Sequence, residues 1–297
     1  MTDIVNRDGG GGSGGGGEED GHGFRENEAR SAVFYSISAT QKGLQGVQLG
    51  NFLIKRVVAK LRAELPQLET FATLSPIPSF RSWLSKKAKH RAALGVGHSD
   101  LSGELLLTAD EAEAILSSAN AAHNSSSGAS SSSSRSDISN IRNEEAGAAS
   151  LTAQEMASQR EAQALEVLLS DYGVPGAAAE SALTRLAARY LVRETVRGKI
   201  PDPVGNFHVS NGARVERLNW MGDLSSRGVE NSFGMMVNYV YDPAEIESNN
   251  RRYLSRGEVP ASEGAQELAW SLRGPGYQQD EAGKQPPPPT PSPRAAL

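Results

Sequence analysis

A serine hydroxyl and a histidine imidazole are the side chains in this sequence best suited to proton-transfer chemistry. Ser75 ends a predicted strand and precedes Pro76-Ile77-Pro78, whose prolines restrict the backbone around it. His208 lies in the segment FHV, which we predict as a strand. An ordinary imidazole pKa of about 6.5 would suit proton exchange near neutrality. By residue type alone, however, Ser75 would more often be a helix cap and His208 a structural residue.

A glycine-bearing turn precedes the first predicted helix. The turn begins at about Gln41 and has glycines at positions 43, 46 and 50, and the helix runs from about Gly50 to the residue before Pro66. Apolar residues recur there at helical spacing, with lysines and arginines largely between them. Free backbone N–H groups at a helix N-terminus can bind phosphate. Without further information, a phosphate site and an ordinary glycine turn are equally compatible with this segment.

The remaining patterns predict an α/β (α+β layered) fold. AVFYSIS (32–38) and TFATL (70–74) are rich in strand-forming residues and flank the first helix. ARVERLNW (213–220) and GMMVNYVY (234–241) are later strands, and Asn211-Gly212 reads as a hairpin turn. Further helices are predicted at 82–94, 108–118, 151–172, 177–196 and 263–272. Strands at both ends with helices between them indicate a mixed sheet flanked by helices.

Several separated blocks of this sequence, in the same order, resemble the malonyl-CoA decarboxylase family. They are KGLQGVQLG, FLIKRVV, LSPIPSF, PVGNFHVSNGARVERLNWMGD and MVNYVY. The resemblance implies an acetyltransferase-like (GNAT) fold that binds acyl-CoA, with the pyrophosphate of coenzyme A held at the glycine turn. It also implies the conversion of malonyl-CoA to acetyl-CoA and carbon dioxide, in fatty acid metabolism. No cofactor is implied, since the thioester of the substrate accepts the electrons itself.

The same resemblance assigns roles to individual residues. Ser75 and His208 match the family's catalytic pair: His208 would protonate the enolate, and Ser75 would hold the carboxylate or relay protons without forming an acyl-enzyme. Tyr241 matches a tyrosine expected to line the acyl pocket, with its hydroxyl near the thioester or the serine. The residues matching the family's coenzyme A-binding segment are Gln45, Gly46, Val47, Gln48, Leu49, Gly50 and Asn51. Gln48 stands where the family usually has a glutamate, so a charge is lost there and activity could be altered.

Two other functions are compatible with the same residues. A coenzyme A-dependent acyltransferase would share the glycine turn, but would need an acceptor cleft and usually a general base beside the acyl group. An inactive acyl-CoA-binding remnant would keep the turn without turnover. Malonyl-CoA offered without an acceptor separates the decarboxylase from the acyltransferase, and thioester binding without turnover identifies the remnant.

Low-complexity segments divide the chain. Residues 1–30 are glycine-rich, residues from about 121 to 150 form a serine-rich insert, and residues 275–297 are proline-rich. Such compositions cannot bury enough apolar surface to offset chain entropy, so we expect disorder there and a catalytic domain over 31–274. The family resemblance leads us to expect an N-terminally truncated chain whose sheet is incomplete on that side. It also implies a homo-oligomer for full-length members.

Composition limits the partners. The net charge of −5 and the lack of a dense basic block argue against a nucleic-acid partner. The absence of cysteine excludes disulfides, thiolate metal ligands and cysteine nucleophiles, and the five histidines show no paired metal-ligand spacing. No apolar run approaches the ~18 residues of a membrane span. No targeting signal is recognisable; the resemblance leaves mitochondrial, peroxisomal and cytoplasmic locations open.

Overall fold

The computed structural model describes residues 29–35, 49–94, 105–126, 153–170 and 176–271. The proline-rich tail, nearly all of the glycine-rich start, most of the serine-rich insert and residues 45–48 of the predicted coenzyme A segment lie outside these ranges. Together the described ranges contain a sheet and the helices that pack around it.

Fourteen elements make up the described fold. The strands are β1 Ser31–Phe34, β2 Thr70–Thr73, β3 Ser75–Pro76, β4 Arg214–Asn219 and β5 Met236–Val240. The helices are α1 Leu49–Glu64, α2 Phe80–Leu94, α3 Ala109–Ser126, α4 Ala153–Leu169, α5 Gly176–Val192, α6 Pro203–Ser210, α7 Ser226–Ser232, α8 Ile246–Arg256 and α9 Glu263–Trp270. Six of the nine helices in the described ranges, α1 to α5 and α9, confirm predictions from hydrophobic periodicity.

The five strands form one mixed sheet, which confirms the predicted fold class. β1 pairs with β2 in parallel, and β5 runs antiparallel to β2, β3 and β4. β5 therefore pairs with three of the other four strands. The strand predicted at 70–74 ends at Thr73 in the structure. After Leu74, Ser75 begins β3 and pairs with Val237 of β5. This register places Ser75 beside the central strand of the sheet.

Helix α5 provides the main apolar packing surface. Its apolar residues predicted to face the core are fully buried: Leu183, Leu186, Ala187, Tyr190 and Leu191. Leu165 and Leu168 of α4 join the same core. Trp83 and Trp220 are only partly buried and pack against this core.

The predicted strand FHV is wrong: these residues form helix α6. Asp202 caps the helix by accepting hydrogen bonds from the backbone N–H groups of Val204 and Gly205, each at 3.0 Å. Pro203 occupies the first turn, where its missing N–H costs nothing. This aspartate-proline pair is a helix-start signal, and it outweighs the β propensity of Phe207 and Val209.

The predicted Asn211-Gly212 hairpin is also wrong, because this pair ends α6 and leads into β4. Asn211 is the C-cap, and Gly212 has a φ of +86°. The asparagine-glycine pair does mark a positive φ, as in a hairpin turn. What differs is the preceding element, which is a helix and not a strand.

Two further helices have no counterpart in the sequence predictions. Helix α7 lies between β4 and β5, and Ser225 caps it by accepting the N–H of Gly228. Helix α8 is strongly polar, but its buried residues recur at helical spacing: Ile246, Asn249 and Tyr253. Because one of these three is polar, hydrophobic periodicity alone misses the helix.

Candidate active site

Ser75 and His208, which are 133 residues apart in sequence, meet at a buried contact. The Oγ atom of Ser75 lies 3.2 Å from Nε2 of His208. Ser75 comes from the start of β3 and His208 from the last turn of α6. The side chains are almost completely buried, with 5% and 4% of each residue exposed. A hydroxyl and an imidazole held in this way can exchange a proton.

Thr73 supports the serine from its other side. Ser75 Oγ lies 2.9 Å from Thr73 Oγ1, which also accepts the backbone N–H of Tyr239 at 3.2 Å. The main-chain oxygen of Thr73 accepts from Asn238, whose own side-chain oxygen accepts from Asn219. These two asparagines thus support the end of β2, two residues before the serine. Thr73 carries no sequence signal that separates it from an ordinary strand threonine.

His208 is enclosed by two tyrosines of the β5 segment. Its Nδ1 lies 2.8 Å from the hydroxyl of Tyr241, and its ring stacks on Tyr239 with centroids 4.6 Å apart. The structure thus places the Tyr241 hydroxyl against the imidazole, on the opposite side from Ser75. Tyr241 is 1% exposed and is not among the residues lining the adjacent cavity. Tyr241 is therefore placed to orient the imidazole of His208.

Burial lowers the pKa of His208 from 6.5 to about 4. The imidazole of the unliganded protein is therefore neutral at pH 7, contrary to the ordinary pKa assumed from the sequence. Burial also raises the pKa of the Tyr241 hydroxyl, which stays protonated. The group at the centre of the site is therefore a neutral imidazole between two hydroxyls.

The lowered pKa predicts a measurable pH dependence of stability. Between pH 6.5 and 4 the unfolded chain protonates His208 while the folded chain does not, so the free energy of unfolding falls as the pH falls. The expected loss over this window is about 3 kcal/mol. The measurement is urea unfolding at pH 7, 5.5 and 4 for the wild type and for His208→Gln, which should lose less stability.

The contributions of other titrating groups to the free energy of unfolding cancel when the wild type is compared with His208→Gln. Burial raises the pKa values of Asp202 and Glu161, but both carboxyl groups titrate in both proteins. The tyrosines that face His208, Tyr239 and Tyr241, stay protonated throughout. Parallel stability curves for the two proteins would contradict the assigned pKa shift of His208.

Asp202 ties the serine segment to the histidine helix. Its Oδ1 caps α6, and its Oδ2 accepts the backbone N–H of Ser79 at 3.2 Å. Ser79 is four residues after Ser75, and the carboxylate is fully buried. Asp202 therefore links the two chain segments that carry the Ser75–His208 pair. Sequence reasoning missed it, although the Asp-Pro helix-start signal was present.

A cavity of about 500 Å³ opens at the serine-histidine pair. Its lining is mainly apolar and comes from several parts of the fold: Phe34, Tyr35, Ser75, Pro76, Pro203, Val204, Phe207, His208, Asp223 and Met236. The carboxylate of Asp223 is held by Ser225, whose hydrogen bonds lower its pKa and keep it ionised. An apolar cavity with a few convergent polar groups is the usual form of a small-molecule site.

The predicted coenzyme A segment lies between described parts of the fold. Residues 36–48 join Tyr35, which lines the cavity, to the first turn of α1. Leu49, Gly50 and Asn51 begin that helix, whose first turn contains no acidic residue. An anion at this end of α1 would therefore meet no negative side chain of the first turn.

Two negative findings concern the same described ranges. They contain no group of three or more histidine, cysteine, aspartate or glutamate residues arranged to hold a metal ion. None of their helices is both long and apolar enough to cross a membrane.

A buried Ser–His pair that opens on an apolar cavity beside a mixed α/β sheet has the form of an acid–base site. The chain belongs to the malonyl-CoA decarboxylase family, because the model of the malonyl-CoA decarboxylase C-terminal domain matches residues 18–281.

Individual relatives agree with this assignment. Mitochondrial malonyl-CoA decarboxylase of Anser anser anser is 39% identical over 233 residues, which cover 78% of this chain and 38% of the relative. The Mus musculus protein of the same name is 38% identical over 238 residues, covering 80% of this chain and 40% of the relative. The chain thus spans about two fifths of the length of these relatives.

Solved structures give the same result. The crystal structure of malonyl-CoA decarboxylase from Rhodopseudomonas palustris superposes with a TM-score of 0.52 at 31% identity, covering 82% of this chain and 46% of the other. The Agrobacterium vitis structure gives 0.53 at 32% identity, covering 83% and 47%.

Proposed function

We propose that this chain decarboxylates malonyl-CoA to acetyl-CoA and carbon dioxide, with Ser75 and His208 as its catalytic residues. The observation that carries the proposal is the 3.2 Å contact between Ser75 Oγ and His208 Nε2 at the end of an apolar cavity. Membership of the malonyl-CoA decarboxylase family is the reason for proposing malonyl-CoA as the substrate. We further propose that the residues of segment 45–51 bind coenzyme A and that 31–274 form the catalytic domain.

The reaction needs an electron sink and a proton. The bond between the methylene carbon and the carboxylate breaks, carbon dioxide leaves, and the electron pair forms an enolate on the thioester. A proton then adds to the carbon and gives acetyl-CoA. The apolar walls of the cavity favour loss of the charged carboxylate, since carbon dioxide is neutral. Ser75 can donate a hydrogen bond to the carboxylate or to the enolate oxygen.

Substrate binding would allow the neutral imidazole to take up a proton from solvent. A malonyl carboxylate beside His208 favours the protonated imidazole, because an opposite charge raises the pKa of a histidine. Tyr241 can keep its hydrogen bond to His208 in both protonation states. Its hydroxyl donates to Nδ1 of the neutral ring and accepts from the N–H of the charged ring. His208 then delivers the Nε2 proton to the enolate carbon and returns to its neutral form.

The decisive assay offers the purified chain malonyl-CoA and no acceptor. Release of carbon dioxide with equimolar acetyl-CoA is expected, and Ser75→Ala should lower kcat by about 100-fold through loss of one hydrogen-bond donor. Ser82→Ala, which removes a hydroxyl exposed on α2, is the matched control and should leave the rate unchanged.

Three results would contradict the proposal. Turnover that requires an amine acceptor would indicate an acyltransferase. Thioester binding by calorimetry without any product would indicate a binding remnant. Full activity of Ser75→Ala would remove the serine from the mechanism.

A further inference from the structure

Four neutral groups form a buried row through the site. The order is Tyr241 hydroxyl, His208 Nδ1 and Nε2, Ser75 Oγ and Thr73 Oγ1, with successive distances of 2.8, 3.2 and 2.9 Å. Thr73 and Tyr241 are each 1% exposed, so water has little access to either end of the row. Family membership does not assign a role to Thr73.

Each member of the row has one proton to donate. Neutral His208 has a single N–H, so when Ser75 donates within the row the three hydrogen bonds can run in two directions. In one direction Tyr241 donates to Nδ1, Nε2–H donates to Ser75, and Ser75 donates to Thr73. In the other direction Thr73 donates to Ser75, Ser75 to Nε2, and Nδ1–H to Tyr241. The two directions require opposite tautomers of His208.

The distances favour the direction towards Thr73. The 3.2 Å contact between Nε2 and Ser75 is within the range of an N–H donor and longer than that of an O–H donor. The contacts at 2.8 and 2.9 Å are compatible with hydroxyl donors from Tyr241 and Ser75, and they fit the opposite direction equally well. Phenol is also a stronger donor than imidazole, and an imidazole nitrogen is a stronger acceptor than phenol oxygen.

We propose that Thr73 is a positioning residue in the unliganded protein: by accepting the proton of Ser75 until a substrate oxygen replaces it as acceptor, Thr73 turns the serine lone pairs towards His208 and selects the Nε2–H tautomer. The backbone N–H of Tyr239 holds Thr73 Oγ1 in place for this task. In this arrangement the serine hydroxyl does not point at the imidazole, so His208 does not activate Ser75 as a nucleophile. The nitrogen that faces Ser75 and the cavity then carries the proton.

Removing the Thr73 hydroxyl should reverse the direction of the hydrogen bonds along the row. In Thr73→Val the serine proton has only His208 Nε2 left as an acceptor among the groups of the row. His208 can then accept this proton at Nε2 if its own proton moves to Nδ1, where it is donated to Tyr241. If the proposed decarboxylation holds, on which this kinetic expectation rests, kcat falls by about 10-fold, the equivalent of about one hydrogen bond, and KM stays within about twofold.

The tautomer can be measured without turnover. Long-range proton–nitrogen correlation NMR of protein labelled with ¹⁵N-histidine at pH 7 distinguishes a protonated Nε2 from a protonated Nδ1. The signal of His208 is identified by its loss in His208→Gln. We expect Nε2–H in the wild type, Nδ1–H in Thr73→Val, and the wild-type pattern in Thr73→Ser, which restores the acceptor.

Thr70→Val is the matched control, because Thr70 is an exposed threonine on the same strand. Its spectrum and its kcat should equal those of the wild type. A wild type with Nδ1–H, or the same tautomer in the wild type and Thr73→Val, would overturn the assignment. The wild-type spectrum decides the tautomer even if Thr73→Val does not fold. Absence of decarboxylation would count against the proposed function alone, since the NMR result does not depend on it.

Discussion

Replacing His208 by glutamine is expected to lower kcat for malonyl-CoA by about 100- to 10,000-fold while KM changes little. Glutamine keeps hydrogen-bonding groups near Ser75 and Tyr241, but it cannot take up and release a proton near neutral pH. The coenzyme A part of the substrate would still bind, because that contact is proposed to lie at residues 45–51. Initial rates of acetyl-CoA release over a range of malonyl-CoA concentrations provide the measurement.

His90→Gln is the control for this change. His90 is exposed on α2, so the variant has the same chemical change outside the site and should keep the wild-type rate. A rate for His208→Gln within threefold of the wild type would exclude a required proton transfer by this residue. A rise in KM alone would mean that His208 binds substrate without acting on it.

Replacing Gly212 by alanine is expected to destabilise the fold by about 4 kcal/mol or more. The residue has a φ of +86°, and an added Cβ would lie 2.1 Å from the backbone oxygen of Ile246 at the start of α8. A backbone atom of a helix end cannot move away as a flexible side chain can. Asn249 of α8 also donates to the Gly212 carbonyl, so relief of the clash would disturb this contact.

Urea unfolding at pH 7 measures this effect, with Gly264→Ala as the control. Gly264 lies in the first turn of α9, and a Cβ there would meet nothing within 4 Å. Alanine favours a helix over glycine by up to about 1 kcal/mol, so this control should be neutral or slightly stabilising. If Gly212→Ala lowers the free energy of unfolding by less than about 1 kcal/mol, the backbone around Gly212 and Ile246 can shift at little cost, which would contradict the prediction.

The parts of the fold that follow local rules were predictable. Helices α1 and α5 have apolar residues at helical spacing, and such a stripe has to face a core wherever the helix lies. The strands around Phe71 and Val237 have the matching β-forming pattern. Helix α6 was predictable in principle, because Asp202-Pro203 is a start signal, but the short FHV pattern favours a strand when it is taken alone.

The supporting residues of the candidate site had no comparable signal. Thr73 is an ordinary strand threonine until the register of β2 and β5 places it beside Ser75 and Tyr239. Tyr241 was expected near the serine, yet the same register places its hydroxyl on the far nitrogen of His208. Such contacts depend on pairing between distant segments.

The sequence by itself determined three things: most of the helices in the described ranges, the availability of Ser75 and His208 for acid–base chemistry, and the family that the blocks resemble. These properties follow from short-range periodicity, from capping residues and from the order of motifs, all of which can be read from the sequence without knowledge of tertiary contacts. Only the tertiary structure decided that the two side chains lie 3.2 Å apart and almost completely buried, and that burial lowers the pKa of His208 to about 4. Distance and burial are set by how strands and helices from distant parts of the chain pack together.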